Sequence, residues 1–208
     1  MMSLKRIFDL AAATTVLIIL FPVFLFLSLA IKLDSPGPIF YKARRIGRGG
    51  LLFYMYKFRT MVAQADRSGP ALTYKADPRI TRVGRWLRKV RLDELPQLIN
   101  VLKGEMSMVG PRPEAPEFVR AEQPLWSQVL SVAPGMCGMA QLAFAMDESE
   151  VLADVSTLDH DYLTQILPVK LQLDVRYVHT QSLLLDITLL AKTFWLVVRP
   201  NRSAAVRV

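Results

Sequence analysis

The sequence has one cysteine, Cys137, and two histidines, His160 and His179, among its 208 residues. An internal disulfide therefore cannot form, and neither a paired-cysteine nor a Cys/His metal site is present. This composition favours a reducing environment on the cytosolic side. A nucleophilic role for Cys137 has weak support, because a lone apolar thiol is more commonly buried.

Acidic residues are also scarce, with 18 Asp and Glu against 26 Lys and Arg. The calculated pI is about 9.8, the mean hydropathy is +0.28, and 52% of the residues are hydrophobic. Few soluble domains combine these values, so the composition predicts one small domain with a membrane-embedded part.

The longest stretch without a charge is Leu10–Ile31, whose 22 residues are enough to cross a bilayer as a helix. Pro22 lies at its centre and favours a bend. Of the 26 basic residues, only Lys5 and Arg6 precede it, so a simple span would separate them from the rest. We therefore expect a helix that enters the membrane, bends at Pro22 and returns.

Two alternatives for this stretch stay open. An ordinary transmembrane anchor fits the hydropathy, and membrane helices tolerate proline. A cleaved signal peptide would use Lys5 and Arg6 as its basic region and residues 28–30 as its cleavage site. However, the apolar run exceeds the usual signal-peptide core of about 7 to 15 residues.

Two strands are predicted at Ile39–Arg44 and Leu51–Arg59, joined across the glycine-rich residues 47–50. Alternation places Tyr54, Tyr56 and Phe58 on one face, with Lys57 and Arg59 on the other. The aromatic face is more typical of packing or membrane contact than of base stacking.

Charge is segregated along the chain, with fourteen basic residues between Lys42 and Arg91 against Asp66 and Asp77. Phospholipid head groups, a nucleotide diphosphate or nucleic acid would suit this stretch, and a solvated basic face is the simpler alternative. A downstream acidic patch predicts a surface helix and loop. Its members are Asp147, Glu148, Glu150, Asp154, Asp159 and Asp161.

The C-terminal segment 183–198 is strongly apolar but contains Asp186 and Lys192. This mixture favours an amphipathic helix in the membrane interface, with Trp195 at head-group depth, over a membrane span. Packing against the hairpin is a compatible alternative.

Asp93 and Glu94 lie among basic residues just before Pro96. Proline is tolerated only in the first turn of a helix, so we expect a helix that begins within a residue or two of Asp93 and ends at Gly104. Its expected apolar stripe is Leu95, Leu98, Ile99 and Leu102. Such a helix start favours a phosphate beside Asp93, although acids there most often act as helix caps.

Short motifs follow one another along nearly the whole chain, at residues 5–9, 35–38, 56–61, 93–98, 100–104, 106–107, 109–113, 134–141, 173–178 and 185–186. Taken in this order, they resemble the bacterial sugar transferases, which are monotopic phosphoglycosyl transferases.

The resemblance implies transfer of a phosphosugar from a nucleotide diphosphate sugar, a UDP-sugar in our expectation, to polyprenyl (undecaprenyl) phosphate. Asp93 would be the nucleophile that forms a phosphosugar-aspartyl intermediate and releases a nucleoside monophosphate. Glu94 would hold Mg²⁺ together with Asp93, or handle protons. Arg112 resembles the phosphate-binding arginine of the family, and Lys57 and Arg88 are further candidate phosphate ligands, with solvated or structural roles as alternatives.

The expected fold is α+β and mainly helical, with a re-entrant membrane helix (1–34) and a membrane-surface catalytic domain (35–208) that carries the hairpin, the catalytic helices and the C-terminal interfacial helices. Expected partners are membrane lipids and a possible second copy of the chain, with no nucleic acid, at the cytosolic face of the bacterial inner membrane. A one-step ternary-complex transferase and a non-catalytic binding module are the alternatives.

The sequence departs from the family pattern at two places. Phe21 precedes Pro22 where many members have serine, and residues 142–146 replace a short Asn-Gly-Arg loop. We therefore expect the sharpness of the bend and the substrate contact near residues 142–146 to differ in this chain.

Overall fold

The computed structural model describes residues 3–65, 69, 72–74, 77–144 and 157–198. Its main helices are α1 (Leu4–Asp34), α2 (Arg82–Lys89), α3 (Gln97–Lys103), α4 (Pro124–Val129), α5 (Met139–Ala143), α6 (Leu158–Asp161), α7 (Leu167–Thr180) and α8 (Leu183–Val198). The strands are β1 (Phe40–Ile46), β2 (Leu52–Phe58), β3 (Ser107–Val109) and β4 (Gly135–Cys137). The expected mainly helical α+β fold is confirmed. In the acidic patch, residues 147, 148, 150 and 154 lie outside the described part of the chain.

The predicted hairpin is confirmed. Strands β1 and β2 pair antiparallel, with Phe40 opposite Phe58 and Ile46 opposite Leu52. A short 3₁₀ turn, Arg48–Gly50, joins them within the predicted glycine-rich loop. Strands β3 and β4 form a second, parallel pair that the sequence patterns did not predict.

Helix α1 is continuous over 31 residues and contains Pro22. One face packs against the rest of the protein through Ala13, Leu27 and Ile31, all almost fully buried. The opposite face is exposed and apolar: Ile7, Ile18, Ile19, Phe21, Leu25, Phe26, Leu29 and Leu33. Among the described helices, α1 alone is long and apolar enough to cross a membrane. The bend at Pro22 stays a prediction.

The first turns of α1 are held by buried polar contacts that we call the anchor cluster: Lys5, Asp9, Ser107, Tyr177 and Asp186. Asp9 accepts hydrogen bonds from the Ser107 hydroxyl (2.8 Å) and from a backbone N–H of β3 (3.0 Å). Lys5 pairs with Asp186 at 2.5 Å, and the Tyr177 hydroxyl lies 2.7 Å from the other Asp186 oxygen. The start of α1 is therefore fixed to β3 and to the two C-terminal helices.

The other end of α1 is fixed to β2 and α2. The Arg59 guanidinium donates to the carbonyl oxygens of Ile31, Ser35 and Pro36, which closes the C-terminus of the helix. Asp34 accepts a hydrogen bond from the backbone N–H of Val83 at 3.1 Å, near the start of α2. Both ends of α1 are thus bound to the same globular body.

The hydrophobic core has three clusters. One joins α1, the hairpin, α3, β3 and the last two helices. A second packs α4 against α6 and α7 around Trp126 and Tyr162. The third holds the end of α1 on Phe58 and Leu87. Because α1 contributes to two of these clusters, removing it would open the core.

The predicted C-terminal helix is confirmed as α8. Its Asp186 is 1% exposed and is neutralised by Lys5, so the charge that argued against a membrane span instead lies inside the protein. Large apolar side chains on α8 remain exposed: Leu184, Ile187, Phe194 and Trp195. The location of α8 in the membrane interface stays a prediction.

Candidate active site

Asp93 and Glu94 lie in a 3₁₀ turn, Leu92–Glu94, between α2 and α3. Helix α3 begins only at Gln97, so the predicted start within two residues of Asp93 is wrong. Pro96 has no N–H to donate to the Leu92 carbonyl. That carbonyl instead accepts a hydrogen bond from the Leu95 N–H, which closes a turn of three residues rather than four. The end at Gly104 is confirmed, since this residue has a φ of 85°.

The two acids do not cap α3, because no side chain caps its N-terminus. The predicted apolar stripe is also only partly buried: Leu98 is in the core, but Leu102 is exposed and Val101 takes its place. The simpler interpretation of the two acids as helix caps is therefore not supported by the geometry.

Glu94 joins two cations that come from different parts of the chain. Its Oε1 accepts hydrogen bonds from Lys57 Nζ at 2.9 Å and from Arg112 Nη2 at 2.5 Å. Its Oε2 lies 3.3 Å from Arg112 Nη1. Burial alone would raise the pKa of Glu94, but Arg112 and Lys57 outweigh it and hold the pKa well below its usual range. Glu94 is therefore ionised and tightly held.

Asp93 differs from Glu94. Asp93 is 8% exposed, and its carboxylate accepts no hydrogen bond from the described residues. Burial raises the pKa of Asp93, opposed by the charge of Lys57 and reinforced by that of Glu94. Two adjacent carboxyl groups with opposite pKa shifts are typical of a site in which each acid has its own chemical role.

Arg88 belongs to the same electrostatic site, because its charge also opposes the raised pKa of Asp93. Its Nε donates to the Thr60 hydroxyl at 2.8 Å, which ties α2 to the segment after β2. This approach requires glycine at position 84, since a Cβ there would lie 2.0 Å from the Thr60 carbonyl oxygen. We call Lys57, Arg88, Asp93, Glu94 and Arg112 the dyad site. The structure brings all five together.

Asp174 is a residue of this region that the sequence interpretation did not assign to the site. Its carboxylate accepts a hydrogen bond from the backbone of Arg112, while its Oδ1 has no partner among the described residues. Burial, with the nearby charge of Glu114, raises the pKa of Asp174 well above its usual value. The signal that could have identified it is a lone acid in the apolar stretch 171–178.

The acids present suit a magnesium ion only in part. No third His, Cys, Asp or Glu joins Asp93 and Glu94 in a potential metal cluster within the described residues. Mg²⁺ is commonly held by one or two carboxylates, with substrate phosphates and water completing its shell. Asp93 has both oxygens available for such a role, whereas most of the acceptor capacity of Glu94 is used by Lys57 and Arg112. The donor set therefore fits a metal that arrives with a phosphate-bearing substrate.

Cys137 lies near this site without belonging to its polar contacts. Burial raises the pKa of its thiol to about 11, with a smaller contribution from the charge of Glu94. A thiol with such a pKa is protonated at neutral pH and is a poor nucleophile. Cys137 itself is half-buried, and its protonated thiol agrees with a structural rather than a nucleophilic role.

A comparison with protein families identifies the chain. The family model described as "Bacterial sugar transferase" matches residues 1–200.

The chain belongs to the bacterial sugar transferase family.

Among relatives of known name, the undecaprenyl-phosphate glucose phosphotransferase of Komagataeibacter xylinus is 38% identical over 91% of this chain and 35% of that protein. The UDP-N-acetylgalactosamine-undecaprenyl-phosphate N-acetylgalactosaminephosphotransferase of Aeromonas hydrophila is 36% identical over 91% of this chain and 42% of its own length. The UDP-glucose:undecaprenyl-phosphate glucose-1-phosphate transferase of Caulobacter vibrioides is 36% identical, over 91% of this chain and 67% of that protein. The chain thus spans less than half of the first two of these relatives.

Proposed function

We propose that this protein transfers a sugar phosphate from a UDP-sugar to undecaprenyl phosphate through a covalent phosphosugar-Asp93 intermediate. The reaction would start a lipid-linked glycan such as an exopolysaccharide. The three relatives described above each align with 91% of this chain, and their names describe sugar-phosphate transferases to undecaprenyl phosphate. Those names fit the arrangement of charges in the dyad site.

The observation that carries the proposal is the contrast between the two acids. Glu94 is bound by Lys57 and Arg112, whereas the buried Asp93 carboxylate accepts no hydrogen bond from the described residues. A carboxylate that is free of hydrogen bonds but surrounded by cations is suited to attack an anionic phosphorus centre, because the cations offset the repulsion between the two anions.

In the first step, an Asp93 oxygen attacks the β-phosphorus of the UDP-sugar. The bond between this phosphorus and the bridging oxygen of the diphosphate breaks, and UMP leaves with the bonding electrons. In the second step, a phosphate oxygen of undecaprenyl phosphate attacks the same phosphorus. The bond to Asp93 breaks, so the carboxylate is regenerated and undecaprenyl diphosphate sugar is formed.

The basic residues of the dyad site bind and orient the diphosphate in this mechanism. Arg112 presents a planar fork that matches two phosphate oxygens, and Glu94 holds this fork in place. Lys57 and Arg88 supply further positive charge next to Asp93. Asp93 and Glu94 would also hold Mg²⁺, which when bound supplies charge neutralisation at the diphosphate.

We further propose that α1 enters the cytosolic face of the membrane and returns to it. This topology is supported by the contacts at its two ends, since Asp9 binds β3 and Arg59 closes the other end of the same helix on the same globular body. The exposed apolar face of α1 would then lie in lipid. An accessibility tag at the N-terminus should react from the cytosolic side only, and reaction from the outer side would restore a simple span.

Isotope exchange tests the covalent mechanism. The full chain in detergent or vesicles is incubated with labelled UMP and, in turn, UDP-glucose or UDP-N-acetylgalactosamine, without undecaprenyl phosphate. We expect label to enter the UDP-sugar that is the substrate, because the first step is reversible and needs no lipid. Mass spectrometry of the quenched enzyme should place a phosphosugar on the peptide containing Asp93.

Outcomes of this experiment separate the alternatives. Turnover with lipid but no exchange without it would favour a one-step ternary-complex transfer. Neither exchange nor turnover, with membrane binding retained, would favour a non-catalytic membrane-surface module. The residue that carries the phosphosugar adduct is the nucleophile. An adduct on any residue other than Asp93 would therefore show that Asp93 does not have this role.

A further inference from the structure

Gln97, four residues after Asp93 in the sequence, is a buried polar side chain without a partner among the described residues. Gln97 is 1% exposed, and neither its amide oxygen nor its amide nitrogen has a hydrogen-bond partner among the described residues. Burying an amide without a partner destabilises the folded protein. Such a group in a native structure requires an explanation, and a ligand-dependent contact is one.

Asn100, on the next turn of α3, shows that this environment satisfies an amide where the role is structural. Its Oδ1 accepts from the backbone N–H of Tyr56 at 2.9 Å. Its Nδ2 donates to the Tyr54 carbonyl at 2.8 Å and to Glu105 at 2.7 Å. Gln97 and Asn100 are equally enclosed, so lack of burial does not explain the difference between them.

The position of Gln97 relates it to Asp93. Gln97 follows Asp93 by four residues, and both Leu95 and Pro96 between them have right-handed helical backbone angles. The N–H groups of Leu95 and Leu98 close this backbone by bonds to the third residue before them, so Gln97 follows Asp93 by a little more than one helical turn. Both side chains are buried, and no hydrogen bond joins them in this structure.

We propose that Gln97 is a positioning residue for Asp93, whose amide N–H donates to the Asp93 oxygen that does not bond to phosphorus. This inference rests on the proposed function. When one Asp93 oxygen bonds to the phosphosugar, the other becomes a carbonyl oxygen within the enclosed site and accepts this hydrogen bond. A contact that forms only on the way to the intermediate lowers the barrier without tightening substrate binding.

The test compares Gln97→Met with Leu98→Met in the full chain. Methionine matches the shape of glutamine but has no N–H, and Leu98 is an equally buried neighbour on the same turn. For each variant, UMP exchange into the UDP-sugar used by the wild type is measured without lipid, together with KM and Tm. Gln97→Met should lower the maximal exchange rate by roughly tenfold or more with KM unchanged. Its Tm should be unchanged or higher, because an unpaired amide is removed.

Leu98→Met should leave the exchange rate within about twofold of the wild type. Full exchange by Gln97→Met, or a loss of rate together with a loss of Tm, would overturn the positioning role. A higher KM at an unchanged maximal rate would also overturn it, since that result assigns Gln97 to substrate binding. If the wild type itself shows no exchange with either UDP-sugar, the proposed covalent mechanism fails, and this inference fails with it. Exchange by the wild type followed by full exchange in Gln97→Met refutes the inference alone.

Discussion

The anchor cluster and the dyad site are both buried groups of acids, bases and hydrogen-bonding side chains, but they differ in how their polar atoms are used. In the anchor cluster, both oxygens of Asp9 and both oxygens of Asp186 accept hydrogen bonds. In the dyad site, Asp93 accepts none from the described residues. Asp174, whose pKa responds to the charge of Arg112, also keeps one oxygen without a partner among them.

We infer from this difference that one polar cluster stabilises the fold and that the other serves the proposed reaction. A buried polar atom without a hydrogen bond costs about 1–3 kcal/mol, so it persists where another requirement outweighs stability. The anchor cluster fixes α1 to β3 and to the last two helices. The dyad site leaves the acceptor atoms of Asp93 without hydrogen bonds from the described residues, as the proposed attack on phosphorus requires.

The comparison is tested most severely at Asp93. Asp93→Asn should reduce UMP release by at least about a thousandfold, because the neutral amide cannot act as the nucleophile. Its Tm should not fall, since a buried carboxylate without hydrogen bonds is replaced by an uncharged group of the same shape. The rate of UMP release and the thermal unfolding curve of the purified variant measure these two effects. Normal turnover would show that the unsatisfied acid is not the catalytic one.

Glu94→Gln should have the next largest effect, a fall in turnover of roughly a hundredfold. Arg112 and Lys57 would lose the charge that orients them, so the diphosphate would be held less well. Initial rates over a range of UDP-sugar concentrations give the measurement, with Glu117→Gln, an exposed acid, as the control. Equal rates for the two variants would contradict a role for Glu94 in holding these cations.

Asp186→Ala tests the anchor cluster. Removing this acid takes the only carboxylate from Lys5 and the Tyr177 hydroxyl in this cluster's contacts and leaves them the Val109 carbonyl and each other. We expect the free energy of unfolding to fall by about 2 kcal/mol. The figure is below the usual cost of breaking a buried pair, because Lys5 is 30% exposed. Denaturant unfolding in detergent measures the change, and the exposed Asp159→Ala serves as the control.

Turnover per folded molecule should remain close to that of the wild type in Asp186→Ala. A large loss of turnover with unchanged stability would reverse the assignment of the two clusters, since it would place Asp186 in the chemistry. Replacing both partners with apolar residues, in Lys5→Met with Asp186→Leu, should recover part of the lost stability.

The smallest expected effect is a pH dependence due to Asp174. Burial and the charge of Glu114 raise its pKa in the folded protein, so the protonated form is favoured there. Stability is therefore lost as the pH rises from the ordinary Asp value of 3.8 through the raised value. Asp174→Asn resembles the protonated form and should raise Tm by a few degrees at neutral pH.

That gain should vanish below the ordinary Asp pKa, where Asp174 is protonated in both the folded and unfolded states. Thermal unfolding of the variant and the wild type at several pH values provides the comparison. A gain that does not change with pH would mean that the carboxylate of Asp174 is not the cause. A gain that grows on acidification would contradict the direction of its pKa shift.

Much of the fold could be predicted because its signals are local. The hairpin follows from strand alternation around residues 47–50, and α1 and α8 follow from their long apolar segments. The start of α3 was misplaced because a short 3₁₀ turn and an α-helix share the same sequence signals near Pro96. The parallel pairing of β3 with β4 joins two three-residue strands, too short for any periodic pattern.

Four members of the dyad site lie in the motifs that carry the family resemblance, and Arg88 was named beside them as a further candidate phosphate ligand. Asp174 and Gln97 were not assigned to it, because their relevance depends on what surrounds them rather than on their residue type. Lys5 was interpreted as a charge beside the membrane, whereas its partner Asp186 lies 181 positions away. No local pattern links residues so far apart.

The sequence by itself determined that an uncharged helix precedes a basic hairpin, that two acids are adjacent before Pro96, and that the family motifs occur in order. Only the tertiary structure decided that Glu94 is ionised and bound while Asp93 has a raised pKa and no hydrogen bond. The two residues are neighbours of similar chemistry. They differ because Lys57, 37 positions before Glu94, and Arg112, 18 positions after it, are folded onto one carboxylate and leave the other available.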